Sequence, residues 1–366
     1  MQTRRLGRTN LDVSVISFGG TWISEIDTSD AIPVVRRAFD LGINYFDTAR
    51  WDGDSETKIG YALKDVRDQC IIATKTGSRT KKESVEDLKN SIQLLQTDHV
   101  DIIQLHGIDD EKTLTKAISS DGALQTCKKA QKEKLTKFIG ITGHKPQILA
   151  KAIKTGEFDT VLVPLNIVTR QAEEELLPTA KDLDVGVLAM KPLSAKTSNL
   201  ITCTYQPSLS LVSDEPELKA LLGQNNKQVI HSLLRYTLSK DIASAVIGLR
   251  SITEVETAAS VGINYQDLTD IEKKRFNFKL ETYCRDCGLC MPCPEKINIP
   301  AILRFHSFHS NYRLKNWARN LYTGLEIKPD KCTQCGICQQ KCPYNLPIEC
   351  MLQEAHKKLS FSETNK

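Results

Sequence analysis

The sequence predicts an α/β fold, a (β/α)8 TIM barrel followed by a small helical domain rich in cysteine. Three observations carry this. Eight short apolar runs each precede a helical pattern between residue 1 and about 262. The runs are near-continuously apolar, as parallel strands buried on both faces must be. Of twelve cysteines, nine fall between 284 and 350. The barrel is expected over 1–275 and the smaller domain over 276–366.

The units follow in order. VISFGG (15–20) leads to a helix from near Asp30, with Pro33 in its first turn and Gly42 as its stop. INYFDTA (43–49) precedes a helix from about Ser55 to Lys64. CIIATK (70–75) precedes SVEDLKNSIQLL, where Val85, Leu88, Ile92 and Leu95 share one face. VDIIQLHG (100–107) is followed by one helix through the 120s and 130s, FIGITGH (138–144) by PQILAKAIKTG, and DTVLVPLN (159–166) by EEELLPTAKDL. VGVLAMKP (185–192) leads through an irregular insertion, about 196–216, to a helix near 226–239. SAVIGLRS (244–251) precedes a helix from about Thr253. A doubly wound open sheet is the competing topology. The strand number and the lack of a GxGxxG after the first strand favour the barrel.

Hydrophobic content of 40% and charged content of 26% are those of a soluble globular chain. A net charge of +4 is too mild to argue for nucleic acid. No run of 18 apolar residues predicts a membrane span, and MQTRRLGRTNLDVSVISFGG lacks the apolar core of a signal peptide. A cytoplasmic location is expected, where clustered cysteines bind metal more often than they pair.

Barrel chemistry gathers at the C-terminal ends of strands. The polar residues there are Asp47, Asp52, Lys75, His106, Thr142, His144, Asn166, Lys191, Arg250 and Ser251. Asp47 and Asp52 belong to an acidic loop, YFDTARWDGDSE (45–56), that also holds Asp54 and Glu56. Each alone reads as a solvated loop residue. An Asp, a Lys and a His at the ends of the second, third and fourth strands read as a site, because a buried lysine beside carboxylates shifts their protonation.

RRLGRTNLDVSVISFGG, FDTARWDGDSETKIGYAL, ATKTG, DIIQLHG, KFIGITGH, VPLN and VIGLRS occur in an order that resembles the aldo-keto reductase family over roughly residues 1–262. The resemblance implies NAD(P)H laid across the strand ends and hydride transfer to or from a small carbonyl-type substrate. It implies a proton-donating tyrosine assisted by Asp47, Lys75 and His106. Asp52 stands where the tyrosine belongs, followed by Gly53, Ser55 and Glu56 of the same motif. A tyrosine near ~10 keeps its proton at pH 7, whereas Asp52 needs an upward shift of about three units, roughly 4 kcal/mol, to do so. Burial and Asp47 push that way and Lys75 opposes; His106 is the other candidate acid. Tyr45 points to the same side as Asp47 but deeper. The positions that hold the nicotinamide carboxamide in the family read Thr142-Gly143 and Leu162 here, with Asn166 nearby and Lys191 after the seventh strand. GLRSITEVE places Gly248, Arg250 and Ser251 at the adenosine phosphate, while Glu254 would repel a 2′-phosphate. NAD, NADP and a flavin all remain candidate cofactors.

CTQCGICQQKCP (332–343) has the C-x2-C-x2-C-x3-C-P spacing of bacterial ferredoxins, and CRDCGLCMPCP (284–294) is one residue shorter. In such pairs three thiolates wrap one cubane and the fourth crosses to the other. The expected ligands are Cys284, Cys287, Cys290 and Cys342 for one [4Fe–4S] cluster, and Cys332, Cys335, Cys338 and Cys293 for the second. Zinc is the alternative, but it is usually held by two pairs rather than triplets. Cys350 is left over. The segment AILRFHSFHSNYRLKNWARNL between the runs is helical, basic and aromatic in pattern, and it resembles the ferredoxin-like tail of some aldo-keto reductase-like proteins. It is a candidate docking patch for an electron-transfer protein. Three functions follow: an oxidoreductase working on a carbonyl, an electron-transfer protein whose barrel has lost hydride chemistry, or a ligand-binding barrel braced by structural clusters.

Overall fold

The computed structural model describes residues 1–193, 226–276, 284–310 and 315–360. The expected insertion at 196–216 lies outside them. The chain divides into two compact units, one of Met1–Leu193 with Asn225–Lys274, the other containing everything from Arg275 onward.

Strands β1 (Thr3–Arg5) and β2 (Asp12–Ser14) form an antiparallel hairpin. Strands β3 (Ile16–Gly19), β4 (Tyr45–Asp47), β5 (Ile71–Thr76), β6 (Val100–Leu105), β7 (Thr136–Thr142), β8 (Thr160–Pro164), β9 (Gly186–Met190) and β10 (Ser244–Gly248) close into a barrel in that order. Every neighbouring pair is parallel, including the closing pair β10–β3. The hairpin has no counterpart in the sequence reading, since three residues per strand give too short an alternation to see.

Strand parity builds the interior in layers. Tyr45, Ala73, Ile102, Leu162, Leu188 and Val246 share one inner apolar cluster, joined by Leu6 and Val13 from the hairpin. Their immediate neighbours Phe46, Ile72, Ile103, Val161 and Val187 belong to the outer cluster beneath the helices. Because side chains alternate with period two, Asp47, Lys75 and Gln104 must point inward one layer above Tyr45, Ala73 and Ile102. Each large apolar side chain fully buried in the lower layer contributes about 1.5–3 kcal/mol.

Two helices differ from expectation. Helix Thr28–Asp40 begins ahead of Asp30 and carries Pro33 inside it. Proline removes the N–H that would reach the Ser29 carbonyl, and Ser29 is exposed. After β6 there are two helices, Glu111–Ile118 and Ala123–Lys132. The first is started by Asp110, whose side chain accepts the Thr113 N–H at 2.7 Å, and ended by the turn through Gly122.

In the second unit the two cysteine runs repeat one backbone pattern. Asp286 and Gln334 have φ of 55° and 55°, Gly288 and Gly336 of 78° and 72°, and Lys296 and Asn345 of 57° and 50°. The first two pairs occupy the same offset from the first cysteine of each run, and the third pair the same offset from the last. Helices Ile299–Ser310 and Ile348–Ser360 then start at matching positions, and the buried pairs Ile297/Leu346 and Ile299/Ile348 repeat as well. Helix Lys315–Thr323 packs beside them through Trp317, whose ring lies 4.7 Å from that of Phe308.

Candidate functional site

The inward layer at the strand ends is a charged, hydrogen-bonded set. Lys75 Nζ donates to Asp47 Oδ2 and, at 2.7 Å, to the Thr48 carbonyl. Asp47 Oδ1 accepts from Gln104 Nε2 at 2.8 Å. All three side chains are buried. Gln104 was missed by the sequence reading, although a polar residue at the inward parity of Ile102 in a strand is a signal for it.

Asp52 is delivered by a tight turn after β4, in which its N–H reaches the Ala49 carbonyl at 3.0 Å and Gly53 takes φ 60°. Its carboxyl is 5% exposed and accepts from Thr21 Oγ1 at 3.0 Å. Burial is the main cause pushing Asp52 up to about 6; Lys75 opposes it and Asp47 adds to it. The other acids of the loop have structural work. Glu56 is buried against Arg50 and the Thr74 hydroxyl, and Asp54 pairs at 2.7 Å with Lys58, which holds the Ile23 and Ile26 carbonyls.

His106 completes the set. Its Nδ1 is buried with no partner. Burial, followed by the charge of Lys75, pushes the imidazole well below its usual range. The shift favours the neutral imidazole at pH 7, whereas Asp52 is the group brought closer to neutrality. The Trp51 ring tilts over His106, 5.1 Å between centroids, and lies across Gly77 so closely that a Cβ there would sit 1.9 Å from Trp51 Cζ2. Trp51 remains half-exposed and forms one wall of the mouth. Tyr45 sits in the apolar layer below, its hydroxyl buried and held well above the usual phenol range by burial, so it takes no part.

The expected cofactor residues fall into three groups. Thr142 Oγ1 accepts from Gly107 N–H at 3.2 Å, beside His106. Asn166 spends its amide on local backbone, donating to the Lys191 carbonyl at 3.0 Å and accepting from Val168 and Thr169 at 2.9 and 2.8 Å. It therefore shapes the β8 loop, and Lys191 enters with φ 56°. At Gly143 a Cβ would lie 3.0 Å from Asp109 Oδ1, and Asp109 holds His144 Nδ1 at 3.1 Å. The third group surrounds Gly248. Trp22 packs on it, Arg250 lies 5.5 Å over the Trp22 ring, and Glu254 pairs with Arg250 at 3.8 Å while accepting its N–H at 3.0 Å. Ser251 caps the following helix by accepting the Glu254 N–H at 3.2 Å. The turn Gly20–Glu25 links this group to the charged layer, since Thr21 holds Asp52 and Trp22 holds Gly248 and Arg250. Neither residue was singled out from sequence.

In the second unit Cys284, Cys287, Cys290 and Cys342 line one cleft with an empty volume of about 350 Å3, partly open to solvent and walled by Pro300, Leu303 and Ile348. Among the described residues no three His, Cys, Asp or Glu side chains converge on a single-ion site. Four cysteines lining one cleft, with three from one run and Cys342 from the other, is the donor set that one four-iron cubane takes. Burial pushes the Cys284 thiol up to about 12 and Cys290 to about 11, so these sulfurs ionise only against a strong cation charge. The runs adjoin each other: Lys341 Nζ reaches the Pro292 carbonyl and Thr333 Oγ1 reaches Glu295, both at 3.4 Å.

Comparison with known proteins agrees with both units. Residues 15–275 match the aldo/keto reductase family and residues 282–346 match the 4Fe-4S dicluster domain. L-galactose dehydrogenase of Arabidopsis thaliana is 33% identical over 307 residues, spanning 74% of this chain and 93% of that protein. Aldo-keto reductase YhdN of Bacillus subtilis is 26% identical, spanning 74% and 92%. Among solved structures, the holo form of aldo-keto reductase AKR11C1 from Bacillus halodurans superposes with TM-score 0.63 at 25% identity, over 75% of this chain and 95% of that one. An aldo/keto reductase from Klebsiella pneumoniae in complex with NADP and acetate shares the fold, with TM-score 0.60 at 20% identity over 75% of this chain and 94% of that one. The chain is therefore an oxidoreductase belonging to the aldo/keto reductase family, with a 4Fe-4S dicluster domain following its barrel in the sequence.

Proposed function

We propose that the barrel interconverts a small alcohol and its carbonyl with a nicotinamide dinucleotide, and that Asp52 handles the proton. The observation that carries this is the buried Asp52 carboxyl, poised at about 6 beside Lys75 and Asp47. Bound nicotinamide supplies or accepts the hydride. This chain's residues do the rest. At pH 7 a group at about 6 is ionised roughly ten to one, so Asp52 is a base that takes the hydroxyl proton during oxidation. In reduction the protonated carboxyl returns it. Lys75 keeps the carboxylate form accessible, Asp47 and Gln104 hold Lys75 in place, and Trp51 screens the pocket from water. An unpartnered buried ring nitrogen costs about 1–3 kcal/mol, so His106 Nδ1 is suited to meet a polar group of bound substrate or cofactor.

The pairing of Arg250 with Glu254 favours NAD over NADP, because a 2′-phosphate would have to displace a carboxylate and then face it. The relatives' descriptions support no flavin, and none is part of the proposal. Cys284, Cys287, Cys290 and Cys342 are assigned to one [4Fe–4S] cluster, and Cys332, Cys335, Cys338 and Cys293 to the other; such clusters exchange single electrons, with a separate electron-transfer protein as partner. Among the described residues no helix is long and apolar enough to cross a membrane.

The test is anaerobic turnover of small sugars and secondary alcohols with NAD, followed by nicotinamide absorbance across pH 5 to 8. Oxidation should rise with pH to a plateau through a midpoint of about 6, and carbonyl reduction should fall over the same range. A second reading, an electron-transfer protein whose barrel has lost hydride chemistry, is favoured by the loss of the family tyrosine at Asp52. It predicts that neither NADH nor NADPH binds.

A further inference from the structure

The two cysteine runs share a backbone pattern but differ in where their charged residues fall, and one difference lies at the start of the following helix. Counting from the last cysteine of each run, Glu349 follows Cys342 at the offset where Pro300 follows Cys293. Both residues lie in the first turn of equivalent helices, Ile348–Ser360 and Ile299–Ser310. Glu349 Oε1 accepts the N–H of Gly336 at 2.8 Å. Gly336 takes φ 72° in the middle of the loop Cys332–Cys335–Cys338, a turn type whose backbone N–H groups can serve an anion. The Glu349 N–H is itself tied to Gln339 Oε1 at 3.4 Å, which fixes the start of the helix against the same loop. In the first run, Gly288 and Pro300 line the same cleft, and Pro300 brings no carboxylate to it. The acid that does occur in that run, Asp286, is neutralised by Arg304 at 2.6 Å.

We propose that Glu349 tunes one cluster only, holding the reduction potential of the Cys332–Cys335–Cys338 centre below the value its loop would otherwise give and leaving the Cys284–Cys287–Cys290 centre unaffected. Reduction adds one negative charge to a cluster, and a fixed carboxylate beside the ligand loop opposes it. The hydrogen bond acts in the same direction, since the Gly336 N–H that serves Glu349 is withdrawn from the cluster sulfurs. Solvent exposure differs between the centres and also contributes to their order, so the inference concerns the effect of this residue. It stands apart from the barrel's hydride chemistry and rests on the ligand assignment.

The experiment is an anaerobic redox titration of the full-length holoprotein, followed by electron paramagnetic resonance, after iron and acid-labile sulfide have been measured. Glu349→Gln should raise one of the two midpoint potentials and leave the other in place. Pro300→Glu, which puts an acid where a helix start favours it, should lower the couple that Glu349→Gln left alone. A Glu349→Gln protein with full iron in which neither couple moves, or both move together, overturns the proposal. If Glu349→Gln loses iron, an iron-replete Pro300→Glu protein with both couples unmoved overturns it. Wild-type protein lacking iron would instead refute the ligand assignment.

Discussion

Replacing Asp52 with asparagine should make the barrel more stable and the enzyme much slower. The folded carboxyl titrates at about 6 against an ordinary 3.8, a difference of about two units, or about 3 kcal/mol. Because the folded state binds this proton more tightly, Asp52 costs nothing below the unfolded value. It becomes progressively destabilising as pH rises through about 6. Asparagine cannot ionise, and its oxygen can still accept from Thr21 Oγ1. Urea unfolding of the holoprotein, followed by barrel tryptophan fluorescence at pH 8 and pH 4.5, should show a gain of up to about 3 kcal/mol at the higher pH that shrinks at the lower. Turnover should fall by roughly 10²–10⁴ and lose its midpoint near 6. An asparagine variant destabilised equally at both pH values, or one that keeps the wild-type pH profile, refutes the assignment of Asp52 as a buried, strained base.

Two further substitutions address the walls of the mouth. Glu254→Ala frees Arg250 for a phosphate, so the KM for NADP should drop by about tenfold while that for NAD changes little, as read from initial rates with each nucleotide. Gly77→Ala places a methyl group where the Trp51 ring lies; it should displace the indole from His106, shift its fluorescence and lower kcat/KM by about tenfold or more, with the fold intact by circular dichroism.

The sequence exposed what depends on local periodicity. Asp47 and Lys75 are readable because each ends an apolar run whose parity fixes the direction of its side chain, and Asp52 because it ends a turn of fixed length. The cysteine spacing is readable for the same reason. Interactions that arise from closure of the barrel are not. Thr21 meets Asp52, and Trp22 meets Gly248, only because β3 sits between β4 and β10. The burial of His106 depends on Trp51 folding back across Gly77, a contact that no pattern in either segment announces. Asn166 shows a second limit: its place at a strand end is legible, but its side-chain bonds to the backbone of Lys191, Val168 and Thr169 arise from loop geometry that no local pattern carries. The repeat at Asp286/Gln334 and Gly288/Gly336 follows the matching CxxCGxC spacing, but the left-handed turn at the two non-glycine positions is seen only in the dihedral angles.

On the proposed function the two units would trade in different electron counts, and this constrains how they can be coupled. Hydride carries two electrons with a nucleus, whereas each cluster takes one electron at a time. The residues gathered at the barrel mouth are Asp47, Asp52, Lys75, His106 and Trp51; they move and place protons and hold no stable one-electron state at ordinary potentials. Passing electrons from a nicotinamide to a cluster therefore needs a carrier able to do both. Without one, the expected outcome is that NADH added anaerobically to the as-isolated, oxidised holoprotein turns over a carbonyl while the cluster absorbance stays constant, and that dithionite then bleaches it. Bleaching by NADH alone, at a rate comparable to turnover, would contradict the separation of the two centres and require a bound mediator, which a chromophore screen of the released small molecules would reveal.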